Sequence, residues 1–331
     1  MAEPILSVRN LETQFFGPEG VVRAVDGVDF DVFEGRTLGV VGESGCGKSV
    51  TARSILRIVE RPGRVVGGQI LLRPADGGAP VDLLKLPEAE MRSVRGGEIA
   101  LIFQEPMASF SQYHTVGNQI TEAIRLHMHL DKRAARARAI ELLDMAGVPQ
   151  PSRRIDEYPF QLSGGLRQRV MIAMALACDP RVLIADEPTT ALDVTTQAQI
   201  LDLLRELQAK RGLALILITH DMGVIAEMAN DVVVMYLGRA VESGSVKEIF
   251  GAPRHPYTRA LLRSIPTVLA KPRTRLSTIA GSIPHPFNRP KGCPYHPRCS
   301  EIIGTVCETA EPPPIGDASR EVRCFLVGGR P

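Results

Sequence analysis

The stretch Gly42-Glu43-Ser44-Gly45-Cys46-Gly47-Lys48-Ser49 constrains the fold of this chain more than any other. It carries the spacing Gly-x-x-x-x-Gly-Lys-Ser and follows Thr37-Leu38-Gly39-Val40-Val41, an apolar run suited to a strand buried on both faces. A helical pattern comes next, with Ile55, Leu56, Ile58 and Val59 on one side, ending at Arg61-Pro62-Gly63. Strand, loop and helix in that order are the context in which this spacing makes a phosphate-binding loop. The glycines let consecutive amides point inward and cradle phosphates. Lys48 supplies positive charge to the outer phosphates, and Ser49 offers a hydroxyl to Mg²⁺. Cys46 sits where a helix N-terminus lowers a thiol pKa, although a small residue that fits the loop is the plainer reading.

Further apolar runs follow the same grammar. Glu98 to Phe103 ends at Gln104-Glu105-Pro106, Arg181 to Ala185 ends in Asp186-Glu187-Pro188, and Leu213 to Thr219 ends at His220-Asp221. A polar side chain just past the C-terminal end of a parallel strand is placed to meet a ligand. Gln104 serves equally well as a turn residue, and a lone His is usually structural. Asp186 suits Mg²⁺ held through its water shell, and Glu187 suits orienting or deprotonating an attacking water. Asp231 to Leu237 gives the last core strand. Strands alternating with helices predict an α/β fold around a parallel sheet. Upstream, Ile5 to Arg9 and Val21 to Val32 read as an antiparallel β subdomain, with Phe15 and Phe16 on its connecting turn. By themselves, these two aromatics read as packing.

Between Val116 and Gly147 the chain turns helical, with helices expected at Thr121 to Met128 and Lys132 to Ala146. The arginines at 133, 136 and 138 read as a solvated helix face, because no aromatics are interleaved with them. Leu162-Ser163-Gly164-Gly165-Leu166-Arg167-Gln168-Arg169 closes this helical insertion. Ser163 is a good N-cap, and the amides at Ser163 to Gly165 lie at the positive end of a buried helix from Val170 to Ala177. That makes an anion site; Ser-Gly-Gly alone also reads as an ordinary capped helix. Thr189 to Asp193 then precedes an amphipathic helix running through Leu207.

At 331 residues the chain holds one large domain, or a usual one with an appendage, and its net charge of +2 gives no electrostatic case for nucleic acid. No apolar run approaches the roughly 20 residues of a membrane span. Met1-Ala2-Glu3-Pro4 lacks a basic flank and an apolar core, so no secretory signal is expected and the cytosol is the expected compartment. From Pro253 onward the chain is rich in Pro and Arg and carries Cys293, Cys299, Cys307 and Cys324, with a short helical segment expected at Ala260 to Ser264. In a reducing compartment such a cluster binds metal more readily than it forms disulfides. The intervals of five, seven and sixteen residues are unlike the close Cys pairs of tetrahedral zinc sites, whereas an iron–sulfur cluster tolerates them.

The phosphate loop, Gln104, the Leu162–Arg169 stretch, Asp186-Glu187, Asp193 and His220 together resemble the nucleotide-binding subunit of an ATP-binding-cassette transporter, across roughly residues 5 to 250. The resemblance implies a P-loop NTPase (RecA-like) core with an antiparallel β subdomain, an inserted helical signature subdomain at about 105–165, and a Cys-containing extension at 251–331. It implies ATP binding by Phe15, which stacks on adenine, and by Gly42, Glu43, Ser44, Gly45, Cys46, Gly47, Lys48, Ser49 and Val50. Mg²⁺ falls to Ser49, Gln104 and Asp186, and catalysis to Glu187, His220 and Gln104. Leu162, Ser163, Gly164, Gly165 and Leu166 form the signature that binds the ATP of a partner subunit, with Asp193 as a dimer contact. Leu166 stands where the family often has Gln.

More narrowly, Ile102-Phe103-Gln104-Glu105-Pro106-Met107, Leu162-Ser163-Gly164-Gly165-Leu166-Arg167-Gln168-Arg169, His255-Pro256-Tyr257-Thr258 and Gly292-Cys293-Pro294-Tyr295-His296-Pro297-Arg298-Cys299 resemble the oligopeptide/dipeptide importer subfamily. Phe110-Ser111-Gln112-Tyr113 departs from it, since Asn-Pro is more usual before that Tyr. This narrower likeness implies peptide uptake through a pair of separate permease subunits, an extracytoplasmic substrate-binding protein, a second ATPase subunit that is a paralogue, and a place on the cytoplasmic face of the membrane. It also implies a [4Fe–4S] cluster on the four tail cysteines, with zinc as the alternative. A nickel or other solute importer, or a soluble cassette ATPase, are the competing functions.

Overall fold

Runs of valine, isoleucine and leucine make the central strands, and the computed structural model describes residues 3–190, 192–265, 279–317 and 319–328 of the chain. The contacts divide it into two units.

One unit comprises residues 6–31, 37–84 and 219–331 and carries the phosphate loop. Its first sheet is antiparallel, in the order Gly20–Val32, Leu6–Gly17, Gly63–Leu72, Val81–Asp82. Phe15 and Phe16 belong to the strand Leu6–Gly17, not to the turn expected from sequence. The reason is the pairing that runs from Leu6↔Leu72 to Phe15↔Gly63 and leaves only Pro18 and Glu19 to turn. Next to it, Thr37–Val41 runs parallel to Asp231–Tyr236, and Arg239–Ser245 joins the latter antiparallel. The helix after the phosphate loop, Lys48–Ile55, is shorter than its apolar pattern suggests, because Arg57 takes a left-handed φ of 54°.

The extension is woven into this unit. Arg320–Val322 pairs with Arg239–Ser245, and Ile315–Asp317 folds back on it. The Glu242 carboxylate, 1 % exposed, accepts the amide hydrogens of Arg254 at 2.7 Å and His255 at 2.9 Å. The short tail helix is Pro256–Arg263, beginning earlier than expected because the His255 side chain caps it at the Tyr257 amide. Residues 266–278 and 329–331 of the 251–331 extension, together with Ala191 and Ala318, lie outside the described residues.

The other unit comprises residues 1–5, 32–36 and 85–218. Ile99–Ile102, Val182–Asp186 and Ala214–Thr219 form parallel strands in register Ile99↔Val182 and Val182↔Ala214. Apart from the half-buried Leu101, their residues are buried, and they are the continuous apolar runs read from sequence. Val116–Met128, Lys132–Met145 and Gly164–Ala175 pack together beside them. The first of these starts earlier than expected because the Thr115 hydroxyl caps it at the Asn118 amide, 3.2 Å away. Arg136 holds Asp156 in a fork at 2.8 Å and Arg138 holds Asp179, so the arginine-rich helix spends charge on neighbouring carboxylates.

Candidate active site

The phosphate loop is shaped by close approach. A Cβ on Gly42 would collide with the Met235 carbonyl, and one on Gly47 with the Ala24 carbonyl; both residues also have positive φ, 153° and 104°. Lys48 is buried, and its ammonium donates to the Gly42 carbonyl at 2.8 Å and the Glu43 carbonyl at 3.2 Å. Ser49 and Val50 follow in the first turn of the helix Lys48–Ile55. Burial pushes the Cys46 thiol up, the reverse of what a helix N-terminus does alone, so Cys46 fills the loop as an inert thiol.

Glu43 is held at every polar point. Its amide donates to the Tyr257 hydroxyl at 2.9 Å, and its carboxylate takes a fork from Arg298 at 2.7 and 3.0 Å. Arg298 also reaches the Tyr236 hydroxyl at 3.4 Å and the Ala280 carbonyl at 3.0 Å. Burial alone would lower the Arg298 guanidinium, but the hydrogen bonds of Glu43 and Tyr236 outweigh it and raise it.

In the other unit, residues 83 positions apart meet at the end of the strand Val182–Asp186. Gln104 Nε2 donates to Glu187 Oε2 at 3.1 Å, and the Thr190 hydroxyl donates to the same oxygen at 2.9 Å. Asp186 and Glu187 are both buried, and Glu187 takes a left-handed φ of 46° with its amide donating to Ile218 O at 2.9 Å. The carboxylate is thus fixed by two side-chain donors at the C-terminal end of parallel strands. Sequence reading missed Thr190; its signal was a hydroxyl three residues beyond Glu187.

Leu162 is buried, while Ser163 caps the helix Gly164–Ala175 by accepting from the Leu166 amide at 3.4 Å. Gly164 faces open space and Gly165 faces Thr196, whose hydroxyl donates to Asp193 at 2.7 Å. The Thr196 amide and hydroxyl hold the Asp193 carboxyl below its usual range. Ser163, Gly164 and Asp193 are exposed, and Gly165 joins them through Thr196.

His220 is exposed just past the strand Ala214–Thr219, immediately before Asp221 caps the next helix at the Gly223 amide. Phe15 is half-buried, its ring filling the space left by the missing side chain of Gly63 beside Val59. Phe16 turns outward under the Arg64 guanidinium, 4.3 Å from its ring centre.

Cys293, Cys299, Cys307 and Cys324 line one small cavity of about 20 Å³ with Tyr295 and Phe325. All four are free thiols. Burial pushes Cys293 up to about 11 and raises Cys299 and Cys324. Among the described residues, no group of three or more His, Cys, Asp or Glu stands close enough to hold a metal ion. The four sulfurs share one cavity, but burial favours the neutral thiol at Cys293, Cys299 and Cys324, and the described residues there form no metal-holding group.

The pattern of the ABC transporter family matches residues 25–190, half of the chain. The chain belongs to the ABC transporter family. A second pattern, the oligopeptide/dipeptide transporter C-terminal region, matches residues 241–305 of this cassette protein and so covers Tyr257, Arg298 and the first two tail cysteines. The chain is 50% identical over 312 residues to a probable peptide ABC transporter ATP-binding protein of Sinorhizobium fredii, spanning 94% of this chain and 91% of that one. It is 48% identical over 308 residues to the dipeptide transport ATP-binding protein of Escherichia coli, covering 93% and 92%. Among solved structures, a dimeric bacterial ABC transporter cassette superposes with a TM-score of 0.64 at 26% identity, over 73% of this chain and 98% of that one. Among the described residues of this ABC chain, no helix is long and apolar enough to cross a membrane.

Proposed function

We propose that this chain is the ATP-hydrolysing subunit of an importer for oligopeptides or dipeptides, working with separate permease subunits and an extracytoplasmic binding protein. The observation that carries the reading is the convergence of Gln104 and Thr190 on Glu187, in a chain whose Lys48 lies folded into a phosphate loop. Residues 1–250 act as the cassette and 251–331 as its extension. The main chain of Gly42 to Val50, with the Lys48 ammonium and the Ser49 hydroxyl, binds the phosphates, and Phe15 carries the base. Ser49, Asp186 and Gln104 are the oxygen donors suited to Mg²⁺, which supplies charge neutralisation on the phosphates. Glu187 orients and deprotonates the attacking water, and His220 contacts the terminal phosphate. Leu162 to Leu166 close on the nucleotide of a second ATPase subunit, a paralogue, and Asp193 meets that subunit. The assembly works on the cytoplasmic face of the membrane.

Glu187→Gln keeps the side-chain shape and one acceptor oxygen for Gln104 and Thr190 but removes the base. It is expected to bind ATP normally and to hydrolyse it about a hundredfold or more slowly, the scale of a general base. Turnover near that of the unchanged protein would remove Glu187 from its role. For the tail we propose a [4Fe–4S] cluster on Cys293, Cys299, Cys307 and Cys324, supported by their shared cavity and irregular spacing. Protein purified without oxygen is then brown with about four irons per chain; colourless protein with stoichiometric zinc sinks the assignment.

A further inference from the structure

The charge inventory of the phosphate loop contains a liability. Phosphates bring negative charge to the loop, and Glu43, its second residue, brings another. Lys48 is the loop's own cation, and two of its donors already serve the Gly42 and Glu43 carbonyls. The charge that answers Glu43 comes from far along the chain, in Arg298, 255 positions away. Its side chain is 3 % exposed and is tied to Glu43 by a two-bond fork that only a guanidinium makes. Tyr257, also in the extension, fixes the backbone of the same residue through its amide. Nearby, a cavity of about 340 Å³ is lined by Gly45 of the loop, by Arg23, and by Phe287, Arg289 and Lys291 of the extension. Arg289 is anchored on Asp26 at 2.7 Å, which also holds Arg239 at 2.8 Å. The extension therefore faces the phosphate loop with cations at two places, one of them buried and locked onto the loop's own carboxylate.

We propose that Arg298 is a positioning residue for nucleotide binding: by neutralising and clamping Glu43 it makes the phosphate loop receptive to nucleotide phosphates, so the loop's affinity is set by the C-terminal extension. This rests on the reading of Gly42–Val50 as the ATP site. The two sides of the pair then differ in sign. Removing Arg298 leaves an unanswered carboxylate beside the phosphates, whereas neutralising Glu43 leaves a surplus cation that favours them.

The test measures ATP and ADP dissociation constants of the full-length chain by calorimetry. Arg298→Ala is expected to weaken ATP binding about tenfold, the scale of one unit charge several ångströms away at an effective dielectric near 20 once salt screening is allowed for. Arg298→Lys, which keeps the charge without the fork, falls between Arg298→Ala and the unchanged chain. Glu43→Gln binds ATP at least as tightly as the unchanged chain. The double variant Arg298→Ala/Glu43→Gln recovers affinity to within about threefold of it. A pair that merely props the loop predicts equal weakening from either single change and no recovery, and that result overturns the proposal, as does unaltered binding in Arg298→Ala. Should Arg298→Ala fail to fold, Glu43→Gln and Arg298→Lys decide alone: weakening in Glu43→Gln, or undiminished affinity in Arg298→Lys, overturns it. Lys48→Ala separates the two levels of the reasoning. If it leaves ATP affinity intact, the ATP-site reading itself fails; if it abolishes binding while Arg298 changes do nothing, only this proposal fails.

Discussion

Glu242 is the clearest place to test how the extension is fastened. One of its carboxylate oxygens accepts the Arg254 amide at 2.7 Å and the other the His255 amide at 2.9 Å. Glu242→Gln preserves volume but turns one acceptor into an NH₂ group that faces a backbone N–H. One bond to a charged acceptor is lost and one buried donor is left unsatisfied, each worth about 1–3 kcal/mol. Relief from burying the carboxylate offsets part of this, leaving a net loss of about 2–3 kcal/mol. Glu242→Ala orphans both amides and is expected to lose about 4 kcal/mol. For a chain of this size, Glu242→Gln should lower the melting temperature by roughly 3–4 °C in a calorimetric scan. Amide exchange gives the local readout: the Arg254 and His255 hydrogens should exchange much faster in Glu242→Ala while those of the Val182–Asp186 strand hold. A melting temperature within about 1 °C of the unchanged chain would refute the reasoning, because buried amides cannot lose such an acceptor without cost.

Thr190→Val deletes a hydroxyl that donates to Glu187 Oε2 beside Gln104 and should lower ATP turnover about tenfold with ATP binding unchanged, as read by steady-state kinetics. Gly47→Ala puts a side chain against the Ala24 carbonyl at a φ of 104°, and should abolish nucleotide binding in the same calorimetric assay as Lys48→Ala. Burial alone raises Asp26, but the Arg239 hydrogen bond and the charges of Arg289 and Arg239 outweigh it and hold its carboxyl below the ordinary 3.8. The sign follows: a depressed carboxyl stabilises the fold fully above that value and loses its contribution as pH falls below it. The stability gap between Asp26→Asn and the unchanged chain, measured by denaturant titration, should therefore be full at neutral pH and shrink below about pH 3.8.

The parts of the fold that are local in sequence were legible. Val182–Asp186 and Ala214–Thr219 announce themselves as continuous apolar runs because parallel strands are buried on both faces. Gln104 and Glu187 were readable one at a time as strand-terminal polar residues, but their 3.1 Å contact joins two strands and leaves no mark in either segment alone. Phe15 was misplaced on a turn because Gly17-Pro18-Glu19-Gly20 is a strong turn signal, while the pairing with Gly63 that extends the strand comes from a distant segment. Buried charge was the least legible. Glu242 lies in Arg239–Ser245 with nothing nearby to reveal that it serves amides 12 and 13 residues on, and Arg298 sits in a Pro-rich stretch that reads as loop. Periodicity reports which face is apolar; it carries no information on which distant polar group completes a buried one.

Cys46 gives the phosphate loop a chemical clock. Cys46 is 3 % exposed, its sulfur lies against Gly42, and burial pushes its thiol up, so a thiol-directed reagent finds neither access nor thiolate while the loop stays as it is here. Modification then proceeds only during excursions in which the loop lifts, and its rate counts those excursions. A bound phosphate that pins the loop slows the count, and a slackened Glu43 speeds it. Modification followed at Cys46 itself, apart from the five other free thiols, thus reports the breathing of the binding loop in the native chain.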